Sequence, residues 1–323
     1  MTASAIPSVL DAAPMDPALA GFLAQAAAQG QPPLESLPPA VGRQVYRQLA
    51  AALSLPPPDV KRVEERQIDG PGGPMTLRIY SPLHAAAEPA PLLLYLHGGG
   101  FVIGDLETHD AVCRTLCHES GIKVAALDYR LAPEHPFPAA PDDAEAALRW
   151  LGANAAQLGA DAQRIAVAGD SAGAQLALVA ARRVAGTVPV RAIGMIYPVA
   201  QHYGDPSASY AENGEGKFLT LGVMQWFLDT YLGGAPDAAW HPDFALLRAG
   251  GFGGLPASWI ATMGHDPLRD EGHALAQRMA DAGVPVTHRH FASGIHACIH
   301  FTAVSPIGHQ LVVELAQWLR KQA

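Results

Sequence analysis

The stretch Gly169-Asp170-Ser171-Ala172-Gly173 joins two unlike pieces of chain with no linker between them. Upstream, Arg164 to Ala168 is a short run of strand-like character. Downstream, Gln175 to Arg183 is rich in good helix formers. A chain that passes straight from strand to helix must turn sharply, and a Cβ beside the turning residue would meet backbone. Glycine on both flanks removes that bulk and lets the Ser171 hydroxyl project from the end of a sheet. The first amides of the helix and the positive end of its dipole then lie near the same hydroxyl. The plainer alternative is a tight turn whose serine only caps the helix. The strand before and the helix after favour the exposed hydroxyl.

The rest of the chain supplies a sheet for such a turn. "VKRVEERQI" and "MTLRIYSP" alternate around "DGPGGP" as a strand pair, and "PLLLYLHGG" is a continuous apolar run, as a buried central strand would be. "KVAALDY", "RIAVAG", "AIGMIYP", "ASWIATMG" and "VTHRHFA" follow, with helical stretches such as "APDDAEAALRWLGANAAQLG" and "EGHALAQRMADAG" between most of them. Alternation of this kind predicts a mostly parallel sheet with crossover helices. The 323 residues, 49% of them hydrophobic and 16% charged, allow one large α/β domain with an insertion.

Two segments fall outside the alternation. Residues 1–55 suggest two short helices separated by "QPPLESLPP" and closed by Pro56-Pro57-Pro58. Residues 201–249 hold no convincing strand but recurring aromatics, among them Tyr203, Tyr210, Phe218, Trp226, Phe227, Tyr231 and Trp240. That stretch reads either as an inserted cap, joined by the N-terminal helices, or as ordinary crossover helices. The core is then 56–200 with 250–323.

Composition excludes several partners. Twenty-one basic against 30 acidic side chains give a net charge of −9, which argues against nucleic acid and anionic lipid. The N-terminal stretch has no basic n-region and carries Asp11 and Asp16. No apolar run approaches the roughly 18 residues that span a bilayer. Cys113, Cys117 and Cys298 form no disulfide framework and suit a reducing compartment. The expectation is a soluble, cytoplasmic protein without stable membrane insertion.

A second motif bears on Ser171. "LYLHGGGF" ends an apolar strand with His97-Gly98-Gly99-Gly100-Phe101, where bare backbone N–H groups can point at a negative oxygen. Gly98 and Gly99 are candidate oxyanion donors, with the Ala172 amide as a third. His97 is expected to pin the loop by a hydrogen bond. No G-K-[ST] follows, so a phosphate-binding loop is not supported.

Together "HGGGF", "DYRLAPEHPFPAAPDDAEAALRW", "GDSAG", Tyr197-Pro198 and "DPLRDEG" resemble the hormone-sensitive-lipase-like family of α/β-hydrolase esterases. The pairing of a nucleophile elbow with an HGGG-type loop is itself a described feature of that superfamily. The resemblance runs from about Val60 to the C-terminus. It implies a mostly parallel eight-stranded sheet flanked by helices, a helical cap, and hydrolysis of short- to medium-chain carboxylic esters. Members of the family often form homodimers, which the resemblance extends to this chain as an expectation.

In this superfamily the acid and then the histidine follow the serine. Asp266 stands just beyond "WIATMGH", and the family's D-P-L-R-D-E-G pattern puts the acid there. Asp270 competes, but its spacing suits the N-cap of the next helix. For the base, His288 and His290 belong to the last strand. His296 lies in the small-residue stretch Ser293–Ala297, expected as a loop just past that strand, and aligns with the family's histidine. "SGIHAC" departs from the usual G-M-x-H-G-F, and His300 is the runner-up.

Other signals point elsewhere. His109, Cys113 and Cys117 share one helix face but lack a fourth ligand, so they read as core residues and not a metal site. Asp128, Arg130, Glu134 and His135 lie in a proline-dense stretch expected to form an ion-paired supporting turn. The expected chemistry is acyl transfer by Ser171, His296 and Asp266 on a small-molecule ester, needing no metal or organic cofactor. The same residues would also serve amides, lactones or carbamates, and a receptor that has lost catalysis is the remaining class.

Overall fold

The structure, a computed structural model, describes residues 6–322; the first five residues of the expected N-terminal segment and Ala323 lie outside it. Two helices open the chain, α1 (Pro17–Ala28) and α2 (Pro39–Leu53). Asp16 caps α1, its carboxylate accepting from the Ala18 and Leu19 amides. A hairpin follows, β1 (Arg62–Gly70) and β2 (Gly73–Ser81), antiparallel and closed at Gly70 and Gly73. Next come β3 (Ala90–Leu96), α3 (Asp110–Ser120), β4 (Lys123–Asp128), α4 (Ala139–Asn154), β5 (Ala160–Asp170), α5 (Ala172–Arg183) and β6 (Val190–Ile196). The segment between β6 and β7 carries α6 (Ala208–Asn213) and α7 (Leu221–Leu232). The chain ends with β7 (Ala257–His265), α8 (Arg269–Asp281), β8 (Val286–Ile295) and α9 (Pro306–Gln322).

The strands form one eight-stranded sheet in the order β1-β2-β4-β3-β5-β6-β7-β8. β2 runs antiparallel to β1 and β4, and all the remaining pairs are parallel. All of β3 is buried, as its unbroken apolar run predicts for a strand covered on both faces. One core, including side chains of α4, α5, α7 and α8, fills one face of the sheet. The other, including side chains of α1, α3 and α9, fills the opposite face. From β3 the chain moves outward to β4 and then returns to β5 on the other side. The carboxyl ends of β3 and β5 therefore flank a topological switch point, where α/β sheets place ligands.

Two local expectations are corrected. Asp270 does not cap α8; the helix begins at Arg269, and Asp270 sits in its first turn, accepting from the Ser209 amide at 2.8 Å. The Asp266 carboxylate takes the turn instead, accepting from Leu268 N–H at 2.8 Å, an arrangement that aspartate makes readily two residues ahead of an amide. The stretch Ser293–Ile295, expected as loop, is still strand. A register shift between Met263 and His265 carries the β7–β8 pairing on to Ile295. Gly264 permits that shift, since a Cβ there would lie 1.9 Å from the Ala292 carbonyl oxygen.

A buried carboxylic acid ties α8 to the segment after β6. Glu271 accepts from Ala200 N–H at 2.7 Å and from the Tyr210 hydroxyl. Burial pushes its carboxyl up to about 8 against those hydrogen bonds, from an ordinary value of 4.5. Between those two values the unfolded chain has released the proton and the folded chain keeps it. Stability conferred by that proton is therefore lost as pH rises from about 4.5 towards 8, and levels off above. Glu271→Gln is expected to flatten this stretch of the stability profile, read from urea midpoints across the window. An unchanged slope in the variant would remove Glu271 as its cause.

Candidate active site

The strand-to-helix junction folds as its glycines require. Ser171 has φ 51° and ψ −118°, a backbone state that L-residues avoid, and its N–H donates to the Ile196 carbonyl at 2.8 Å. A Cβ on Gly169 would lie 2.4 Å from the Leu96 carbonyl oxygen, and one on Gly173 would lie 2.0 Å from the same atom. The turn is pressed so closely onto the end of β3 that neither position admits a side chain.

Ser171 does not cap the helix with its side chain. Its Oγ lies 3.0 Å from His296 Nε2, and His296 Nδ1 lies 2.7 Å from Asp266 Oδ2. A carboxylate can only accept, so the proton on this imidazole belongs on Nδ1, leaving the Nε2 lone pair to face the serine. Asp266 is fully buried, and His296 and Ser171 are 6% and 8% exposed. Each residue stands just beyond the carboxyl end of a strand, Ser171 after β5, Asp266 after β7 and His296 after β8.

The other residues singled out in the sequence separate cleanly. His300 meets the Tyr46 hydroxyl at 2.8 Å through Nε2, and burial with neighbouring His109 pushes its imidazole down to about 3. It is therefore engaged elsewhere and held neutral. The His97 Nδ1 donates to the Gly98 carbonyl at 2.8 Å, as expected of a pinning residue, and its ring stacks on Tyr129. Burial, helped by His109, lowers His97 to about 4, so it brings no positive charge to the loop at neutral pH. Arg130 and Glu134 are ion-paired, with Asp143 and with Arg43 of α2.

The donor set needs one correction. Gly98 N–H donates to Asp170 Oδ1 at 2.9 Å and is not free for an oxyanion. A Cβ at Gly98 would lie 2.2 Å from the other oxygen of that carboxylate, so the glycine lets the acid lie against the loop. The free amides move one residue on. Among the described residues, the N–H groups of Gly99, Gly100 and Ala172 meet no hydrogen-bond acceptor. Gly99 and Gly100 have φ of 117° and 60°, which fits a loop that turns its amides towards one point.

Further residues shape this cluster, and of these Arg43 carries no sequence signal. Tyr197 lies against the catalytic-type imidazole, its ring centroid 4.4 Å from that of His296. Arg43 donates to the Val102 carbonyl at 2.9 Å, so α2 grips the loop beyond Gly100. Phe227 of α7 lies over Gly100, where a Cβ would lie 2.2 Å from its ring. The non-glycine residues at positive φ among those described are Phe101, Ser171, Tyr197 and Ala297. All of them border this cluster. Strain of about 1–3 kcal/mol each is typical of positions that surrounding packing forces into place at functional sites.

His109, Asp170 and His300 bring ligand-type atoms within 4.8 Å of one another. The set has three members where a closed zinc site has four, and Asp170 Oδ1 already accepts from Tyr95 and Gly98. Cys113 and Cys117 face the core with Cys298 buried apart, and burial pushes the thiols up, Cys117 to about 12.

A strained serine at a strand-to-helix turn, with an acid and a histidine beyond later strands, defines an α/β hydrolase. The chain belongs to the alpha/beta hydrolase fold family, which matches residues 93–300, and within it to the hormone-sensitive-lipase-like family. It is 41% identical to Esterase LipI of Mycobacterium tuberculosis over 76% of this chain and 77% of that protein. It is 39% identical to Carboxylesterase NlhH of the same species, over 82% and 85%. Among solved structures, an alpha/beta hydrolase enzyme from the metagenome of Lake Arreo, Spain, superposes with a TM-score of 0.91. The two are 39% identical, and the match covers 95% of this chain and 98% of that one. None of the helices among the described residues is long and apolar enough to cross a membrane.

Proposed function

We propose that this protein hydrolyses carboxylic esters of short to medium acyl chain through an acyl-enzyme on Ser171. The observation that carries the reading is the continuous hydrogen-bonded line from Ser171 Oγ through His296 to Asp266. In the first half-reaction His296 Nε2 takes the serine proton as Oγ attacks the ester carbonyl. The tetrahedral oxyanion is met by the amides of Gly99, Gly100 and Ala172, and loss of one such donor typically costs about 3 kcal/mol. The C–O bond to the alcohol then breaks, and His296 returns its proton to the leaving oxygen. Water enters by the same route, adds to the acyl carbon, and regenerates the serine with release of the acid.

The cap consists of α1 and α2 with residues 201–249. Trp226 of α7 supports this, since it lies beside Gly42 of α2, and so does Phe227 over the oxyanion loop. The aromatic side chains of the inserted segment then set acyl-chain preference. Three free, buried cysteines favour a reducing compartment such as the cytoplasm. Tests need only the purified protein, p-nitrophenyl acetate, butyrate and octanoate, the matching anilides, and a fluorophosphonate probe. Ester turnover well above anilide turnover, abolished as the probe labels Ser171, is the expected result. Faster anilide turnover, or probe-resistant turnover, would overturn the reading.

A further inference from the structure

The acid that precedes the serine is used by nothing in the mechanism above, yet it is 2% exposed and centrally placed. Asp170 Oδ1 accepts from Gly98 N–H at 2.9 Å and from the Tyr95 hydroxyl at 2.9 Å. His109 Nε2 lies 3.1 Å from the same oxygen. The imidazole of His109 is itself held, with Nδ1 2.8 Å from Thr108 Oγ1, and His300 packs edge-on against it at 4.6 Å between centroids. One carboxylate thus joins the end of β5, which continues directly into Ser171, to the first residue of the glycine run on β3's loop.

We propose that Asp170 is a positioning residue that holds the oxyanion loop in register with the serine, with His109 as the partner that lets a buried carboxylate sit there. The inference rests on the acyl-transfer reading and extends it to the loop. Its physical basis is connectivity. Gly98 has no side chain with which to anchor itself, and Gly99 and Gly100 must stay free for substrate. The Gly98 N–H is the nearest backbone group that can be tied down without consuming a donor. Tying it to the neighbour of Ser171 fixes the distance between nucleophile and donors by a single hydrogen bond. An anion this close to a developing oxyanion would oppose it if left unmatched. Tyr95, Gly98 N–H and His109 converge on the anion. Although burial favours the neutral acid, His109 beside it outweighs that effect, with help from the Tyr95 hydrogen bond, and holds the carboxyl at about 2.

The test compares Asp170→Ala and the isosteric Asp170→Asn with the wild-type chain. Four quantities are read: kcat and KM for p-nitrophenyl butyrate, Ki for a trifluoromethyl ketone whose hemiketal adduct on serine carries the oxyanion, and hydrogen exchange over residues 97–104. Asp170→Ala is expected to lower kcat about 100-fold with KM within about threefold, the loss typical of a misplaced donor. Ketone affinity should fall in parallel, and exchange across the loop should quicken. Asparagine keeps an acceptor for Gly98 N–H, so it should recover kcat at least about tenfold over alanine. A purely structural role would lower the melting temperature while leaving kcat and ketone affinity of the folded variant unchanged, and that result overturns the proposal. So does a loss of kcat with unaltered ketone affinity. If alanine fails to fold, Asp170→Leu, similar in size but without an acceptor for Gly98 N–H, takes its place: wild-type kcat, Ki and exchange in that variant would refute the clamp. Failure of the esterase reading is separate, because it would show as a wild-type chain inert to the ester. Loop exchange then decides alone, with faster exchange expected in Asp170→Ala and unchanged exchange refuting the clamp. Ser171→Ala should leave that exchange as in wild type.

Discussion

Ser171→Ala is expected to lower kcat for p-nitrophenyl butyrate by about 100,000-fold or more, leaving only the catalysis that oxyanion donors and binding give without a nucleophile. The backbone reason for the elbow does not depend on the hydroxyl. Alanine at φ 51° is as strained as serine there, and the flanking glycines still fit under the Leu96 carbonyl. The variant gives up one hydrogen bond, to His296, at a net cost of about 1 kcal/mol. A melting temperature within a few degrees of wild type is therefore expected beside near-total loss of turnover. Retained turnover in a homogeneous sample would sink the assignment, since no other side chain hydrogen-bonds His296 Nε2 among the described residues.

Asp266→Asn is expected to cost about 10,000-fold in kcat, the scale of the same change in serine proteases. The geometry gives the reason. Oδ1 of Asp266 accepts from Leu268 N–H and Oδ2 faces His296 Nδ1. In the variant the carboxamide oxygen keeps the Leu268 amide, which turns its NH2 towards the imidazole. Nδ1 must then accept, the ring proton moves to Nε2, and the nitrogen facing Ser171 loses its lone pair. Steady-state kinetics from pH 6 to 9 provide the check, since the defect is tautomeric and persists across neutral pH. A loss under tenfold would relocate the acid, with Asp270 the next to test.

The parts of this site that read directly from the sequence are those in which the backbone imposes a residue type. Glycine at 169 and 173 is required by carbonyls about 2 Å from any Cβ, so the elbow declares itself, as does the glycine run after β3. Asp266 and His296 follow from the chain order and motifs of the family that the sequence resembles, each just beyond a strand. What stayed hidden depends on convergence of distant segments. Whether Gly98 or Gly100 offers a free amide turns on where the Asp170 side chain goes, and only the packed core decides that. Arg43 and Tyr46 reach the site from α2, far from it in the sequence, through a carbonyl at Val102 and an imidazole at His300. Ser293–Ile295 passes as a loop by composition because its small residues suit a bulged strand equally well.

The hydrogen bond between Ser171 and His296 spans 125 residues of sequence, and that between His296 and Asp266 spans 30. The Ser171–His296 contact requires β5, β6, β7 and β8 to be laid side by side in register, whereas His296–Asp266 needs only the neighbouring β7 and β8. Turnover is thus a long-range assembly signal that no fragment of the chain can supply. During refolding it should return only with the last strand, later than helix content, which is locally encoded. Hydrolysis of a chromogenic ester, followed in real time, would time the closing of the sheet in this molecule.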